Sequence, residues 1–306
     1  MSSQRVHAAL FLVALIYAAN YSLAKDVMPH FMTPFGIVTL RVLGASTFFA
    51  LVKYFVAPHE KITGWADNRR SILCGIFGIG TNQLLFFAGL NYTSPISASL
   101  LQTIAPIVVV IASAVLLHER ITLPRVLGIG VGAAGAATLI LSRDARAAVY
   151  PHATLGNIFI LANATVFGLY LVMVQPLMRK YHAFTVLARV FLVGAIIAVP
   201  FGWREAWHTN YASFPLKIWL EVGYMVVFLT IIAYLLNNWA LKYASPALLG
   251  VYIYLQPVLA VLIAVALGKD HLSWSKAGQA VLIFLGVWLV SKKTRPAPIP
   301  AEMLAE

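Results

Sequence analysis

Residues 90–95 read Leu-Asn-Tyr-Thr-Ser-Pro, and residues 241–246 repeat the pattern as Leu-Lys-Tyr-Ala-Ser-Pro. The two stretches are 151 residues apart, and the same offset aligns further residues of the two halves without a gap. An offset of 148 residues pairs Arg41 with Arg189. We therefore interpret the chain as one unit used twice. The further residues that the offset of 151 aligns are Pro106 with Pro257, Glu119 with Asp270, Arg125 with Lys276, and Gly135 with Gly286.

The sequence around these stretches is strongly apolar. Of its 306 residues 61% are hydrophobic and only 10% are charged, and the mean hydropathy is +0.85. The apolar residues come in blocks of about 20, the length of a helix that spans a bilayer. A soluble protein of this length needs far more charge on its surface. The composition thus predicts an all-α integral membrane protein without a separate soluble domain.

The net charge of +12 lies mostly between the apolar blocks. In a soluble protein this excess would suggest a nucleic-acid partner, but here it is typical of the basic loops that set membrane topology. We therefore expect no nucleic-acid partner. The single cysteine, Cys74, has no partner for an intrachain disulfide, and its count excludes metal and redox clusters built from cysteines. We expect neither a metal nor a cofactor.

Ten apolar blocks predict ten transmembrane helices. Prolines mark several breaks, because a proline in the first turn of a helix removes no intrahelical hydrogen bond. Ten helices place both termini on one side, and thirteen Lys and Arg residues against seven favour the cytoplasm for that side. We expect a multi-pass protein of the plasma membrane, the inner membrane in bacteria. The predicted helices cover residues 6–25, 33–56, 71–91, 95–117, 124–142, 154–178, 183–201, 216–241, 246–268 and 275–292.

The repeat and the helix count together predict an inverted-topology repeat. Each half holds five helices, and since five is odd, the second half enters the membrane from the opposite side. Such repeats place a binding site near the middle of the membrane and allow alternating access by rocking of the halves. We predict the first half at residues 1–147, the second at 148–294 and a disordered tail at 295–306.

Several stretches resemble those of one transporter family. Residues 17–25, Tyr-Ala-Ala-Asn-Tyr-Ser-Leu-Ala-Lys, are similar to the aromatic-x-x-Asn…Lys pattern of its first helix, and Pro34 with Leu40-Arg41 resembles the start of its second. Residues 90–106 resemble its most recognisable part, which residues 241–257 repeat. The chain thus resembles the EamA-like family of the drug/metabolite transporter superfamily. The resemblance implies a ten-helix basket whose central cavity is lined mainly by helices one, three, four, six, eight and nine, and members that export amino acids or other metabolites.

Polar side chains inside the predicted helices indicate where a substrate would bind. Each is costly in a membrane, and a hydrogen bond between helices is the alternative reason for any one of them. Clusters at i, i+3 and i+4 spacing near mid-helix favour a cavity. Amides and hydroxyls in an almost acid-free lining suit zwitterionic or neutral polar solutes, and aromatic faces suit an apolar or cationic part. The predicted substrate-binding residues are Tyr17, Asn20, Tyr21, Asn82, Gln83, Ser99, Gln102, Thr103, Tyr170, Tyr234, Asn238, Tyr252, Tyr254 and Gln256.

Two prolines and two loop acids are candidates for gating. Pro106 and Pro257 lie within helices, so each bends its helix and serves either as a static kink or as a hinge. Glu119 and Asp270 lie in equivalent loops, where they either cap helices or control access by changing partners.

Three charged residues inside the predicted helices also have two interpretations each. Arg41 and Arg189 either anchor to carbonyls or lipid headgroups, or one of them binds a substrate carboxylate. Glu221 either pairs with Lys217, four residues earlier, or is a protonation site for coupling. On helix five, the glycines of the Gly-x-x-x-Gly pattern at residues 128–132 favour packing within the molecule over dimerisation.

These observations favour a carrier over an enzyme or a channel. The sequence has no His-Glu-x-x-His and no Gly-x-Ser-x-Gly motif, and nothing in it resembles an ion filter. The leading expectation is an exporter or facilitator of amino acids or similar metabolites. A carrier of drug-like or nucleoside-like solutes, as in multidrug efflux, and metabolite uptake are the alternatives. The expected partners are a small-molecule substrate and the lipid bilayer; the expected assembly is a monomer, with a homodimer as the alternative.

Overall fold

The computed structural model describes residues 3–117, 123–141, 150–244, 246–270 and 273–291. These residues form helices and turns, and they include no strand. Glu119 and the tail at residues 295–306 lie outside the described residues. The helices are α1 (Ser3–Val27), α2 (Pro34–Val56), α3 (Trp65–Tyr92), α4 (Pro95–Gln102 and Ala105–Leu117), α5 (Leu123–Leu141), α6 (Ala153–Lys180), α7 (Ala183–His208), α8 (Leu216–Leu241), α9 (Pro246–Ile253 and Leu255–Ala266) and α10 (Trp274–Ser291).

Eight of the described helices, all but α5 and α10, are long and apolar enough to cross a membrane. Large apolar side chains such as Val115, Ile196 and Leu262 are exposed on their outer surfaces. That exposure is unfavourable in water but suits contact with lipid chains. Trp65 and Trp274 are exposed at the first residues of α3 and α10, where tryptophans commonly meet the membrane surface. The protein is therefore a multi-pass integral membrane protein.

The two ends of the helix bundle are distinguished by contacts between helix termini. At one end, the end of α1 meets the segment before α6, with Lys25 Nζ 4.5 Å from the centre of the Tyr150 ring. At the other end, the end of α6 meets the start of α3 through Lys180 Nζ and Asp67 Oδ2, 2.5 Å apart. We call the end where α1 begins the N-terminal face and the other end the opposite face. Helices α1 and α6 thus run in opposite directions between these faces.

Helix starts follow local capping chemistry. At α2, the Thr33 hydroxyl accepts a hydrogen bond from the Gly36 amide at 3.2 Å; at α4, Ser94 does the same for the Ser97 amide, also at 3.2 Å. In both helices the first residue is a proline, whose missing N–H would have had no partner there. Because these signals are local, both starts agree with the predicted ones to within one residue.

Helices α3 and α7 exceed their predicted lengths most, by seven residues each. Helix α3 begins at Trp65 rather than at residue 71, directly after Gly64, whose φ of 85° ends the preceding turn. Helix α7 continues to His208 rather than ending at residue 201, with Pro200 inside it. The apolar blocks mark only the part of a helix that lies in hydrocarbon, whereas the backbone hydrogen bonds continue into the polar ends.

Four helices contain an irregular turn near their middle. Helices α3 and α8 widen into π-helical turns at Ile76–Thr81 and Met225–Ile232. Helix α4 is interrupted at residues 103–104 and helix α9 at residue 254. Both interruptions lie just before a proline, Pro106 or Pro257, which cannot donate the next backbone hydrogen bond. This agrees with the bends predicted at the two prolines.

Helices approach each other closely where a glycine leaves room for the backbone of the neighbouring helix. A Cβ atom on Gly286 of α10 would lie 2.3 Å from the Gly132 nitrogen of α5, and one on Gly202 of α7 would lie 2.0 Å from the Phe35 oxygen of α2. Lipid is as apolar as the helix surfaces, so close packing of small residues replaces the hydrophobic effect in holding such helices together. The glycine face of α5 therefore packs within the molecule, as the sequence indicated.

The α5–α10 contact predicts the effect of a single methyl group. We expect Gly286→Ala to lower the thermal unfolding temperature, because relieving the clash must separate the two backbones at a cost of about 1–3 kcal/mol. Gly278→Ala, on the same helix, has no atom within 4 Å of the new Cβ and is the matched control. Alanine favours helix over glycine by about 1 kcal/mol, so the control should unfold at the wild-type temperature or above. Equal unfolding temperatures in detergent for the two variants would contradict the close contact.

Candidate substrate-binding cavity

A cavity lined by both polar and apolar side chains lies in the centre of the helix bundle. Helices α1, α3, α4, α6, α8 and α9 contribute to its wall, as in the arrangement that the family resemblance implies, and α2 adds one arginine. The lining combines amides, phenols and one guanidinium with aromatic and aliphatic surface. No aspartate or glutamate is among its described lining residues, which are Tyr17, Asn20, Tyr21, Arg41, Asn82, Gln83, Phe86, Gln102, Asn163, Phe167, Leu229, Tyr234, Ile253 and Gln256.

Eight of the fourteen predicted binding residues line this cavity, and the other six do not. The hydroxyls of Ser99 and Thr103 donate to backbone oxygens of their own helix, Ile96 O at 2.8 Å and Leu100 O at 2.6 Å. Tyr170 donates to Asn238 Oδ1 at 2.9 Å behind the wall. The eight that line the cavity are Tyr17, Asn20, Tyr21, Asn82, Gln83, Gln102, Tyr234 and Gln256, whereas Ser99, Thr103, Tyr170, Asn238, Tyr252 and Tyr254 lie outside its lining.

Hydrogen bonds across the two halves fix one wall of the cavity. The Tyr234 hydroxyl on α8 donates to Gly78 O, in the π-helical turn of α3, at 3.1 Å, and it accepts from Gln83 Nε2 at 3.1 Å. On α6, Asn163 Nδ2 donates to Asn82 O at 2.8 Å. These bonds hold the amides of α3 at the wall through partners on two helices of the second half.

Arg41 is buried in the wall with its guanidinium only partly bonded. Its Nε donates to Met225 O at 3.2 Å and to the Thr230 hydroxyl at 2.8 Å, both on α8. The guanidinium carbon lies 4.5 Å from the centre of the Phe87 ring. The Nη1 atom is buried without a hydrogen-bond partner. Arg41 thus anchors to a carbonyl, one of its two predicted roles, while also facing the cavity.

Arg189, its counterpart in the sequence, is placed differently. Its side chain is exposed on α7 and borders a groove near the N-terminal face together with Lys53 and Lys61. This placement fits a long side chain that extends to the membrane surface. The structure therefore brings only Arg41 into the central cavity.

A second, smaller cavity adjoins the first on the side of the N-terminal face. The two share lining residues on α1, α6 and α9, namely Tyr17, Phe167, Ile253 and Gln256. The second is otherwise mostly apolar and includes Tyr252, whose hydroxyl lies 2.6 Å from His7 Nδ1 near the start of α1. The predicted binding residue Tyr252 therefore lines the second cavity rather than the central one.

Ion pairs join the helix ends on the opposite face. Asp26, at the end of α1, lies 2.7 Å from Lys217 Nζ of α8 and 2.8 Å from Lys269 Nζ, which follows α9. Lys217 also lies 3.7 Å from Glu221, which confirms the predicted pairing of these two residues. Glu221 does not line the central cavity.

A second, more deeply buried pair lies on the same face. Asp270 accepts hydrogen bonds from the Ile96 backbone amide at 3.2 Å and from Lys276 Nζ at 3.4 Å. Lys276 also donates to the Ser94 hydroxyl at 3.1 Å. The loop acid Asp270 thus caps the start of α4, which is one of the two roles predicted for it, and ties that helix to α10.

Comparison with known proteins identifies the family. The sequence pattern of the EamA-like transporter family matches residues 5–141 and again residues 154–292. The chain belongs to the EamA-like transporter family. It is therefore a membrane transporter, and its two halves each match the same family pattern.

Individual relatives of this transporter are distant but cover much of its length. The uncharacterized transporter YyaM of Bacillus subtilis is 23% identical over 95% of both chains. An uncharacterized transporter of Archaeoglobus fulgidus is 26% identical over 86% of this chain and 91% of its own. A protein of Streptantibioticus cattleyicolor named as a probable terminal-alkyne amino-acid exporter is 29% identical over 72% of both chains. A solved crystal structure, 22% identical, shares the fold with a TM-score of 0.64 over 94% of this chain and 98% of its own.

Some features of the transporter's site gave no signal in the sequence. Leu229 and Ile253 complete the cavity wall, yet apolar residues inside apolar helices look alike whether they face lipid or a cavity. Asp26 and Lys269 pair across 243 positions of the chain, a distance over which sequence spacing carries no information. The repeat aligned Asp270 with Glu119 and Lys276 with Arg125, but it did not indicate that Asp270 and Lys276 are in contact.

Replacing an amide in the cavity wall should weaken substrate binding, whereas replacing a polar residue outside the wall should not. We expect Gln83→Ala to weaken substrate binding about 2–10-fold, the effect of losing one neutral hydrogen bond. Ser99→Ala is the control, because the Ser99 hydroxyl bonds within its own helix and does not line the cavity. The measurement is the affinity for a solute that stabilises the wild-type transporter in a thermal-shift screen of metabolites. Normal binding in Gln83→Ala and Asn82→Ala would move the binding site elsewhere.

Proposed function

We propose that this transporter is a secondary carrier that moves amino acids or similar small metabolites by alternating access, with export as the direction. The observation that carries the proposal is the central cavity, whose lining includes several amides and phenols, has no acidic residue among the described residues and comes from both halves of the chain. Amides and phenols offer both donors and acceptors, which zwitterionic solutes need. The relative named as a probable terminal-alkyne amino-acid exporter supports the same substrate class.

We further propose that the chain crosses the membrane ten times as two inverted five-helix repeats, residues 1–147 and 148–294. The double match to the family pattern supports this proposal. So do the paired irregularities: π-helical turns at Ile76–Thr81 and Met225–Ile232, and helix interruptions at residues 103 and 254, which the offset of 151 aligns. The opposite directions of α1 and α6 are a third support.

We assign the N-terminal face to the cytoplasm of a plasma membrane, on the distribution of basic residues between the loops. In this orientation the second cavity, which Tyr252 lines, lies on the cytoplasmic side of the central cavity. The ion pairs of the opposite face then join helix ends on the outer side, which supports closure of that side in the proposed cycle. We propose that the substrate enters the central cavity from the cytoplasmic side.

A carrier of drug-like or nucleoside-like solutes is the second candidate. Five aromatic rings line the central cavity and favour flat or apolar solutes, namely those of Tyr17, Tyr21, Phe86, Phe167 and Tyr234. The two candidates differ in what they require of the polar groups, since a flat neutral solute has no need of a buried guanidinium.

Counterflow in proteoliposomes tests the proposed function. Purified transporter is reconstituted with unlabelled amino acid inside the vesicles, and the uptake of labelled amino acid is followed. A carrier exchanges the two, so we expect transient accumulation of label above its equilibrium level. A channel would show no such acceleration. If nucleoside-like solutes produce counterflow and amino acids do not, the second candidate is correct and the first is wrong.

Alternating access predicts that tying the opposite face shut stops transport. We expect Asp26→Cys combined with Lys217→Cys, bridged by a short thiol-reactive crosslinker that a reducing agent cleaves, to lose counterflow and to regain it on reduction. The two single variants treated with the same reagent are the controls, because each loses one of the two charges without joining α1 to α8. Unimpaired counterflow in the crosslinked protein would contradict rocking of the two halves.

A further inference from the structure

The guanidinium of Arg41 has a binding capacity that the protein does not use. Only 2% of the residue is exposed, its Nε is bonded to α8 and one face lies against Phe87, yet Nη1 has no partner. An arginine stays protonated in proteins, and a buried charge without a counter-ion is costly. No carboxylate lies among the described residues that line the same cavity. The cavity therefore favours a ligand that brings an anionic group to Arg41.

The same cavity contains acceptors that also lack partners. The side-chain oxygens of Asn20, Gln102 and Asn163 are buried without a hydrogen bond. The orientation of Asn163 is set by its nitrogen, which donates to Asn82 O at 2.8 Å, so its oxygen remains as an acceptor. A buried acceptor that stays unpaired costs about 1–3 kcal/mol. Three such oxygens on α1, α4 and α6 favour a ligand with several N–H donors.

We propose that the cavity binds an α-amino-acid zwitterion at two poles: the carboxylate on Arg41, and the ammonium group on the amide oxygens of Asn20, Gln102 and Asn163. This inference rests on the proposed function and deepens it by assigning each charged group of the substrate to a partner. The side chain of the amino acid then lies against the apolar part of the wall, formed by Phe86, Phe167, Leu229 and Ile253.

Together, the unpaired Nη1 atom of Arg41 and the three unpaired amide oxygens favour an α-amino acid over a simple carboxylate or a simple amine. A simple carboxylate satisfies Arg41 but leaves the three oxygens without donors. A simple amine satisfies the oxygens but brings a second positive charge beside an uncompensated guanidinium. The lack of an acidic residue in the described lining is consistent with this division, since a carboxylate on the protein would pair with Arg41 and occupy the place of the substrate.

A matched series of ligands tests the two poles on the intact transporter. L-Phenylalanine carries both charged groups, L-phenylalaninamide lacks the carboxylate and 3-phenylpropionate lacks the ammonium group. Binding is measured by calorimetry on purified protein, with the corresponding leucine and tryptophan series in parallel. We expect removal of either group to weaken binding about 10-fold or more, the effect of losing a hydrogen bond to a charged group.

Substitutions assign each pole to its residue. Arg41→Gln should abolish the preference for L-phenylalanine over L-phenylalaninamide, while Arg41→Lys should keep part of it because the charge remains. Asn163→Leu should reduce the preference for L-phenylalanine over 3-phenylpropionate. Arg189→Gln is the matched control, since Arg189 is exposed outside the cavity, and its preferences should equal those of the wild type. The ratio between two ligands is informative even if a variant is less stable.

The outcomes separate this inference from the function on which it rests. If the wild type binds L-phenylalaninamide or 3-phenylpropionate as tightly as L-phenylalanine, the two-pole assignment is wrong. The proposed transport function is not affected by that result. If Arg41→Gln keeps the wild-type preferences, Arg41 serves only to hold α8 and the assignment is equally wrong. If no amino acid of the three series binds but another solute gives counterflow, the proposed substrate class itself fails.

Discussion

Every polar group inside a membrane needs a partner within the protein, because lipid offers none. In this transporter the partners are largely supplied across the two halves of the chain. Arg41 of the first half bonds to Met225 O in the π-helical turn of α8, and Tyr234 of the second half bonds to Gly78 O in the π-helical turn of α3. Both contacts lie in the cavity wall. The same constraint thus joins the halves and places their most polar surface between them.

Close backbone contacts hold the rest of the bundle around this polar centre. Pairs of helices meet where glycines remove the side chain, as at Gly132 and Gly286 or at Gly202 and Phe35. Such contacts are short-ranged and rigid, whereas the hydrogen bonds around the cavity can be exchanged for bonds to a ligand. The transporter therefore combines fixed helix pairs with a wall whose partners are replaceable.

Periodicity and composition predicted the helical membrane fold and the stripes that face its centre. Tyr17, Asn20 and Tyr21 line the cavity because three polar side chains on one helical face have no other polar surface to meet. Ser99 and Thr103 share that spacing but not that role, since a short hydroxyl can bond to the preceding turn of its own helix.

Ion pairs between residues far apart in the chain could not be predicted from the sequence, for a different reason. The partner of Glu221 four residues away was predictable, but Asp26 has partners 191 and 243 positions away, which only the packed helices bring near. The difference in burial between Arg41 and Arg189 has the same cause. An identical residue in an aligned position is buried on one helix and exposed on the other, because the neighbours of α2 and α7 differ in three dimensions.

The ion pairs of the opposite face form two layers with different access to water. In the outer layer Lys217 is 69% exposed beside Asp26, whereas in the inner layer Asp270 and Lys276 are only 1% and 9% exposed. Dissolved ions screen exposed charges over roughly 8 Å at physiological ionic strength and affect buried pairs much less. Salinity in the compartment that this face meets therefore weakens the outer layer and spares the inner one. The contact between α1 and α8 at this face therefore depends on the ionic strength of that compartment, whereas the contact between α4 and α10 depends on it much less.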